Sequence, residues 1–386
     1  MPSLLQPFSG FIPSVDFAHR IVGPPSSLLA IEQKEVLRQD ELNFRSVVGR
    51  GAAAHYETAM SWLQRCHDIK ALRAVDSSVI VHQLTRDDFA ATGLLADVSL
   101  NAYDAGRVKR HEATITKTER KMFEYMQSTR IFGNPVALTH HDDANVDALL
   151  ASHTERSADV TFEAIDGTQH ALWIVGGDQA LELCASLDDV LYVTDGHHRL
   201  AGASLLAKTE GMSNAHIPAG LFAESELRVW AYARTLVDPN LNAQSVLDAL
   251  RERFELQESA LAIPRPSTPT EMGLRIGSQS YVLTIPQSML PADPYDRIAV
   301  NLLHDLILGP CFGITDASTD DRLSFVADTG DQAHNPDDYD AWFLPHPTSP
   351  REVMEAADIG RTMPPKSTYF LPKLASGLVI RPIDIS

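Results

Sequence analysis

Cysteine is scarce in this chain: Cys66, Cys184 and Cys311 are the three in 386 residues, widely separated and odd in number. That argues against a disulfide framework and a cysteine-based zinc site, and leaves buried or free thiols. No run of about 18 apolar residues occurs, and Met1-Pro2-Ser3 opens neither a basic region nor an apolar core. A membrane span and a secretory signal are therefore not expected, and the expected location is the cytoplasm. Positive charge is also short, with 32 Lys and Arg against 51 Asp and Glu and a net charge of −19. Nucleic acid and anionic membranes are not expected partners, because both attract proteins mainly through Lys and Arg. A small nucleotide is still compatible, since one Arg, a helix N-terminus and a metal ion can make a local positive site. No Gly-x-x-x-x-Gly-Lys-Ser/Thr occurs, which excludes a P-loop kinase. Internal repeats and long low-complexity tracts are absent too.

What is present reads as an ordinary globular protein, 44% hydrophobic and 22% charged, long enough for about two domains. The expected division is a core over residues 1–225 and a second α+β region over residues 226–386. Apolar periodicity predicts helices over 28–45, 55–73, 117–129, 145–152, 200–208 and 245–254. The 55–73 helix is set off by Gly49 and Gly51. Strands are predicted at 79–84, 94–103, 135–139, 190–193, 227–237, 272–276 and 281–285, with a hairpin over 160–175 turning at Asp166-Gly167. The proline-bearing 261–270 stretch reads as a loop. Helices and strands alternate irregularly, with hairpins between, so the expected fold class is α+β.

The densest chemistry lies in Val193-Thr194-Asp195-Gly196-His197-His198-Arg199. It follows an apolar strand and precedes an alanine-rich helix. Gly196 permits a tight backbone, and the free N–H groups of the following helix suit a phosphate. Arg199 adds a bidentate fork, and His197 and His198 add donors or proton carriers. Asp195 would repel a bare phosphate. It fits an orienting role, towards a substrate ammonium or hydroxyl, a histidine or a magnesium ion. The competing reading is a common Asp-Gly turn with solvated polarity.

Upstream, His111 and Glu112 follow Lys109 and Arg110. In a dry pocket Glu112 suits a general base, although a helix-capping segment explains the same residues. His140-His141-Asp142-Asp143 and Asp316, Asp320, Asp321 and Arg322 resemble metal-binding composition but read mainly as turn polarity. In Met363 to Lys373, prolines bracket Lys366, Ser367, Thr368, Tyr369 and Phe370. Such a stiff tail can place Lys366 and Lys373 on a phosphate or pack its aromatics in the core.

Taken together, these segments resemble the bacterial DUF1015 family. The apolar strand with Asp195-Gly196-His197-His198-Arg199, the Arg110-His111-Glu112-Ala113-Thr114 segment, Asn134-Pro135-Val136 and the Met363–Phe370 tail all match its pattern. Arg20-Ile21-Val22-Gly23-Pro24-Pro25 resembles the family's Pro-Pro turn, with Ser26-Ser27 where Tyr-Asp is expected. The resemblance implies a distant likeness to the ParB and sulfiredoxin superfamily, with a mixed-sheet core, and to free serine kinase, which uses a similar Asp-Gly-His-x-Arg turn. The function it implies is phosphoryl transfer from ATP or ADP, with magnesium, to the hydroxyl of a free amino acid or similar metabolite. In that scheme Gly196, Arg199, His111, Lys366 and the histidine pair hold phosphate, Asp195 orients, and Glu112 is the base. The alternatives are a nucleotide-binding regulatory module without turnover, and a ParB-like nuclease. Sulfinic acid reduction needs a cysteine in the turn, and Asp195 to Arg199 contains none. Acceptor, metal site and oligomeric state stay open.

Overall fold

The computed structural model describes residues 3–48, 56–112, 115–329 and 334–383. Gly49, Gly51, His55, Ala113 and Thr114, used in the sequence reading, lie outside the described residues. The chain forms two units: Met1–Arg110, Thr114–Arg228 and Pro372–Ser386 make the first, and His111–Ala113 with Val229–Leu371 make the second.

The first unit is built on a ten-stranded mixed sheet. Its strands are β1 (Leu5–Gln6), β2 (Phe8–Pro13), β3 (Leu72–Arg86), β4 (Phe89–Ser99) and β5 (Val108–Lys109). After β6 (Ile131–Phe132), which lies outside this sheet, come β7 (Val136–His140), β8 (Val160–Glu163), β9 (Gln169–Gly176), β10 (Leu191–Asp195) and β11 (His216–Ala223). The order is β5-β10-β7-β11-β4-β3-β9-β8, with β1 on β4 and β2 on β3. β10 runs parallel to β5 and β11 parallel to β7, while β3, β4 and β9 pair antiparallel.

Alternation along the strands buries both faces of this sheet. Val79, Val81, Leu94, Ala96 and Val98 pack with Leu200, Ala203, Leu206, Phe123 and Met126 from the helices on one side. Ile80 and Leu95 point the other way, into a cluster with Phe8, Ile12, Leu172, Leu378 and Val379. Such two-sided burial explains why the middles of β3 and β4 read as continuous apolar runs.

The second unit holds a seven-stranded sheet of β12 (Arg228–Leu236), β13 (Glu255–Glu258), β14 (Glu271–Ile276), β15 (Gln279–Thr284), β16 (Leu323–Ala327), β17 (Ala341–Pro345) and β18 (Thr368–Leu371). Its order is β13-β15-β14-β17-β12-β16, with β18 on β12. Leu236, Leu274, Phe343, Leu247, Leu303 and Phe312 fill its core. The short strand β19 (Arg381–Pro382) pairs with β6 in the first unit.

The α+β class holds, as does the hairpin at Asp166-Gly167, with Gly167 at a φ of 82°. Element ends differ from expectation where polar groups intervene. The 28–45 helix is Ile31–Gln39 alone, because Asp40 instead pairs with Arg20 at 2.9 Å and accepts from the Leu42 N–H at 2.9 Å. The strand expected to run to residue 103 stops at Ser99, whose hydroxyl caps the helix Leu100–Asp104 through the Ala102 N–H at 3.2 Å. The helix expected over 55–73 ends at Asp68, and β3 takes over at Leu72. No helix among the described residues is long and apolar enough to cross a membrane.

Candidate functional site

The Asp195 to Arg199 segment sits at the end of β10, whose first four residues are buried between β5 and β7. The register against β7 shifts between Val193 and Asp195, and Asp195 then pairs with Ala137 at the strand end. Gly196 then adopts φ 95° and ψ 23°, a left-handed conformation that an L side chain resists. A Cβ there would lie 2.9 Å from Arg199 Nη2 and 3.0 Å from its Cζ. The helix that follows begins at His197 and runs to Glu210. His197, His198 and Arg199 are therefore its first turn, three residues earlier than the sequence suggests. Its free N–H groups and dipole face the end of β10.

Arg199 is held on three sides. Nη1 donates to the carbonyls of Asn134 at 3.2 Å and Pro135 at 2.6 Å, and Nη2 pairs with Asp195 Oδ2. Lys373 Nζ donates to Asp195 Oδ1 at 3.4 Å. The Asp195 side chain is 40% exposed, although its carboxylate end is enclosed by these cations. Burial pushes that carboxyl up, but Lys373, Arg199 and His197 pull it down by more and hold it at about 2. A group ionised so firmly orients and neutralises; as a proton acceptor at neutral pH it is weak. His197 is buried, and buried His198 Nδ1 has no hydrogen-bond partner among the described residues.

Beside Arg199 lies a cavity of about 280 Å³. Met122, Tyr125 and Met126 of the helix Thr116–Thr129 form one wall and Ile131 to Asn134 another, with Lys121 and Glu124 also lining it. Sequence reading missed this cavity because apolar residues at i, i+3 and i+4 read first as core. The tail lysine Lys373, expected beside a phosphate, lies on Asp195 instead.

The remaining candidates lie in the second unit. His111 is 3% exposed and Glu112 half-buried. The Met363 N–H donates to the His111 carbonyl at 2.6 Å, Thr368 Oγ1 lies 3.5 Å from His111 Nε2, and the Phe370 ring stands edge-on to the imidazole. The His111-Glu112 segment and the Met363–Phe370 tail, far apart in sequence, are thus neighbours. Lys366 has a φ of 55°, and its Nζ lies 5.4 Å from the centre of the Tyr232 ring. Arg234, 3% exposed, donates to the carbonyls of Lys366 at 3.0 Å and Pro365 at 3.3 Å.

The metal-like runs have structural tasks. Asp143 caps the helix Ala144–Thr154 through the Asn145 N–H at 2.8 Å, Asp142 accepts from the Ser225 N–H at 3.0 Å, and His141 faces Glu224 at 3.2 Å. Asp316 closes a turn on Ser318 at 2.8 Å, and Asp320 holds Arg322 at 2.7 Å.

The profile of DUF1015, described as a protein of unknown function, matches residues 5–304. The chain belongs to the DUF1015 family. No curated protein matches this DUF1015 member. Among solved structures it is similar to a mutant of free serine kinase in complex with ADP, at 16% identity and a TM-score of 0.37, over 72% of this chain and 87% of that one. It is similar also to SbnI with a C-terminal truncation from Staphylococcus aureus, at 12% identity and 0.40, over 75% and 87%. A conserved hypothetical protein from Pyrococcus furiosus matches at 15% identity and 0.35, over 73% and 93%.

Proposed function

We propose that this DUF1015 protein is a nucleotide-dependent phosphotransferase that acts on the hydroxyl of a small polar metabolite such as a free amino acid, using ATP or ADP. The reading assigns the first unit a ParB/sulfiredoxin-like core and places the protein in the cytoplasm. The observation that carries it is the left-handed Gly196 between a buried strand and a 14-residue helix, a backbone that presents successive N–H groups to an anion. Those N–H groups, with His197 and His198, take the phosphates. Arg199 sets the turn through its carbonyl and Asp195 contacts and adds positive charge. Asp195 orients the ligand as a fixed carboxylate. Magnesium arrives as the counterion of the nucleotide. Glu112 is assigned as base, with His111 and Lys366 contributing to phosphate binding. Phosphoryl transfer requires mainly positioning and charge neutralisation, which this set supplies without a covalent intermediate.

One observation favours the second reading, a nucleotide-binding regulatory module. Asp195 and Arg199 neutralise each other, which suits a static binding loop. Glu112→Gln separates the two. Phosphotransfer predicts that turnover falls by roughly two orders of magnitude or more while nucleotide affinity is kept. Tight nucleotide binding with no turnover in the parent protein establishes the regulatory module instead. The ParB-like nuclease remains the weakest reading, set against a net charge of −19.

A further inference from the structure

A second cavity in the first unit, about 200 Å³, lies along the far half of the His197–Glu210 helix. Ala203, Leu206 and Ala207 line it, roughly 10–16 Å along the helix from Gly196 at 1.5 Å per residue. Most of its wall is apolar, but Arg381 and His216 also line it. His216 is 4% exposed, and its Nδ1 lies 3.0 Å from the Asn214 carbonyl. That contact requires the proton on Nδ1 and leaves Nε2 as an acceptor. Arg381 Nε lies 2.7 Å from Asp97 Oδ2, and Nη1 donates to the His216 carbonyl at 3.3 Å. Nη2 has no partner among the described residues.

Asp97 explains why an arginine stands here. It is fully buried on β4, opposite Gln6 of β1 and Pro218 of β11, neither of them charged. Arg381 is the one cation acting on it among the described residues, and the nearby Cys184 thiol is pushed up to about 12 and stays neutral. Burial raises the Asp97 carboxyl, Arg381 offsets only part of this, and the group titrates at about 7. When Asp97 takes up a proton, the Arg381 charge is left without its counterion beside an apolar cavity.

We propose that this cavity binds a small α-amino or α-hydroxy acid with an apolar side chain, its carboxylate on Arg381, its α-donor on His216 Nε2 and its side chain against Leu206, Ala207 and Phe132. The volume falls below the roughly 300–1,000 Å³ of pockets for drug-sized ligands, so the ligand is small. The site does not depend on phosphotransfer. Anion binding and the Asp97 charge oppose each other, so affinity falls as pH rises through 7.

Calorimetric titration of the full chain with L-leucine, with 2-hydroxy-4-methylpentanoate and with 3-methylbutylamine, at pH 6 and pH 8, tests this. At least one acid binds, at least five-fold tighter at pH 6, and the amine, which lacks the carboxylate, does not bind. Which acid binds identifies the α-donor. Ala207→Leu, which narrows the cavity, weakens binding at least ten-fold, and Asp97→Asn keeps binding while removing its pH dependence. Arg381→Gln abolishes binding, with Ala207→Leu standing in if the buried Asp97 then prevents folding. Absence of binding by both acids at pH 6, equal binding of the amine, or indifference to Ala207→Leu overturns the proposal.

Discussion

Replacing Gly196 by alanine places a methyl group where the Arg199 guanidinium lies, 2.9 Å from Nη2 and 3.0 Å from Nε. Two effects add. A side chain held at φ 95° costs roughly 1–2 kcal/mol. Moving the guanidinium loosens its bonds to Pro135, Asn134 and Asp195; such charged bonds contribute about 1.5–3 kcal/mol each where buried and less where solvent reaches them, as at the 40% exposed Asp195. The expected loss is about 3–4 kcal/mol. Gly211→Ala is the control, because Gly211 also has a positive φ, 69°, with nothing among the described residues within 4 Å of its would-be Cβ; its loss is about 1 kcal/mol. Urea unfolding followed through the buried Trp173 measures both. Equal losses in the two variants would refute the Arg199 clash and, with it, the view that Arg199 sets the turn.

The Asp195 carboxyl is lower in the folded protein than in the unfolded chain, so its contribution is present above pH 4 and lost as pH falls towards 2; Asp195→Asn flattens acid unfolding in that window. His82 and His170, 3.0 Å apart and buried, are both held below the ordinary imidazole range by burial, His170 at about 4. The unfolded chain therefore binds more protons below pH 6.5, stability falls from there towards pH 4, and His170→Phe removes much of that slope in pH-dependent thermal melts. Arg234 anchors the Lys366 turn through two carbonyls. Arg234→Lys cannot span both, so the variant loses roughly 1–3 kcal/mol and is cut faster near Lys366 in limited proteolysis; unchanged cutting contradicts the anchor.

The sequence shows the Asp195–Arg199 turn clearly because its demands are local: an apolar strand, a glycine, then a helix. Its internal pairing was not legible. Whether Arg199 reaches for a ligand or for Asn134 and Pro135 depends on β7 lying beside β10, which no local pattern encodes. Lys373 likewise reaches Asp195 across 178 positions. The hairpin over 160–175 was legible through alternation and Asp166-Gly167. The change from strand to helix at Ser99 was not, since apolar residues recur on both sides of it and one serine hydroxyl decides the boundary. The His140–Asp143 run reads as turn polarity despite its ligand-like composition, and the backbone N–H groups of Asn145 and Ser225 claim the two carboxylates.

Phosphotransfer itself is tested most directly by 31P NMR of the protein incubated with ATP or ADP, magnesium and a panel of free amino acids and hydroxylated metabolites, with Arg199→Ala alongside. The account predicts a new phosphomonoester resonance with one class of acceptor, growing as the nucleotide loses a phosphate and absent in the variant. Nucleotide that stays intact with every acceptor, or a phosphoester that forms equally in Arg199→Ala, contradicts it.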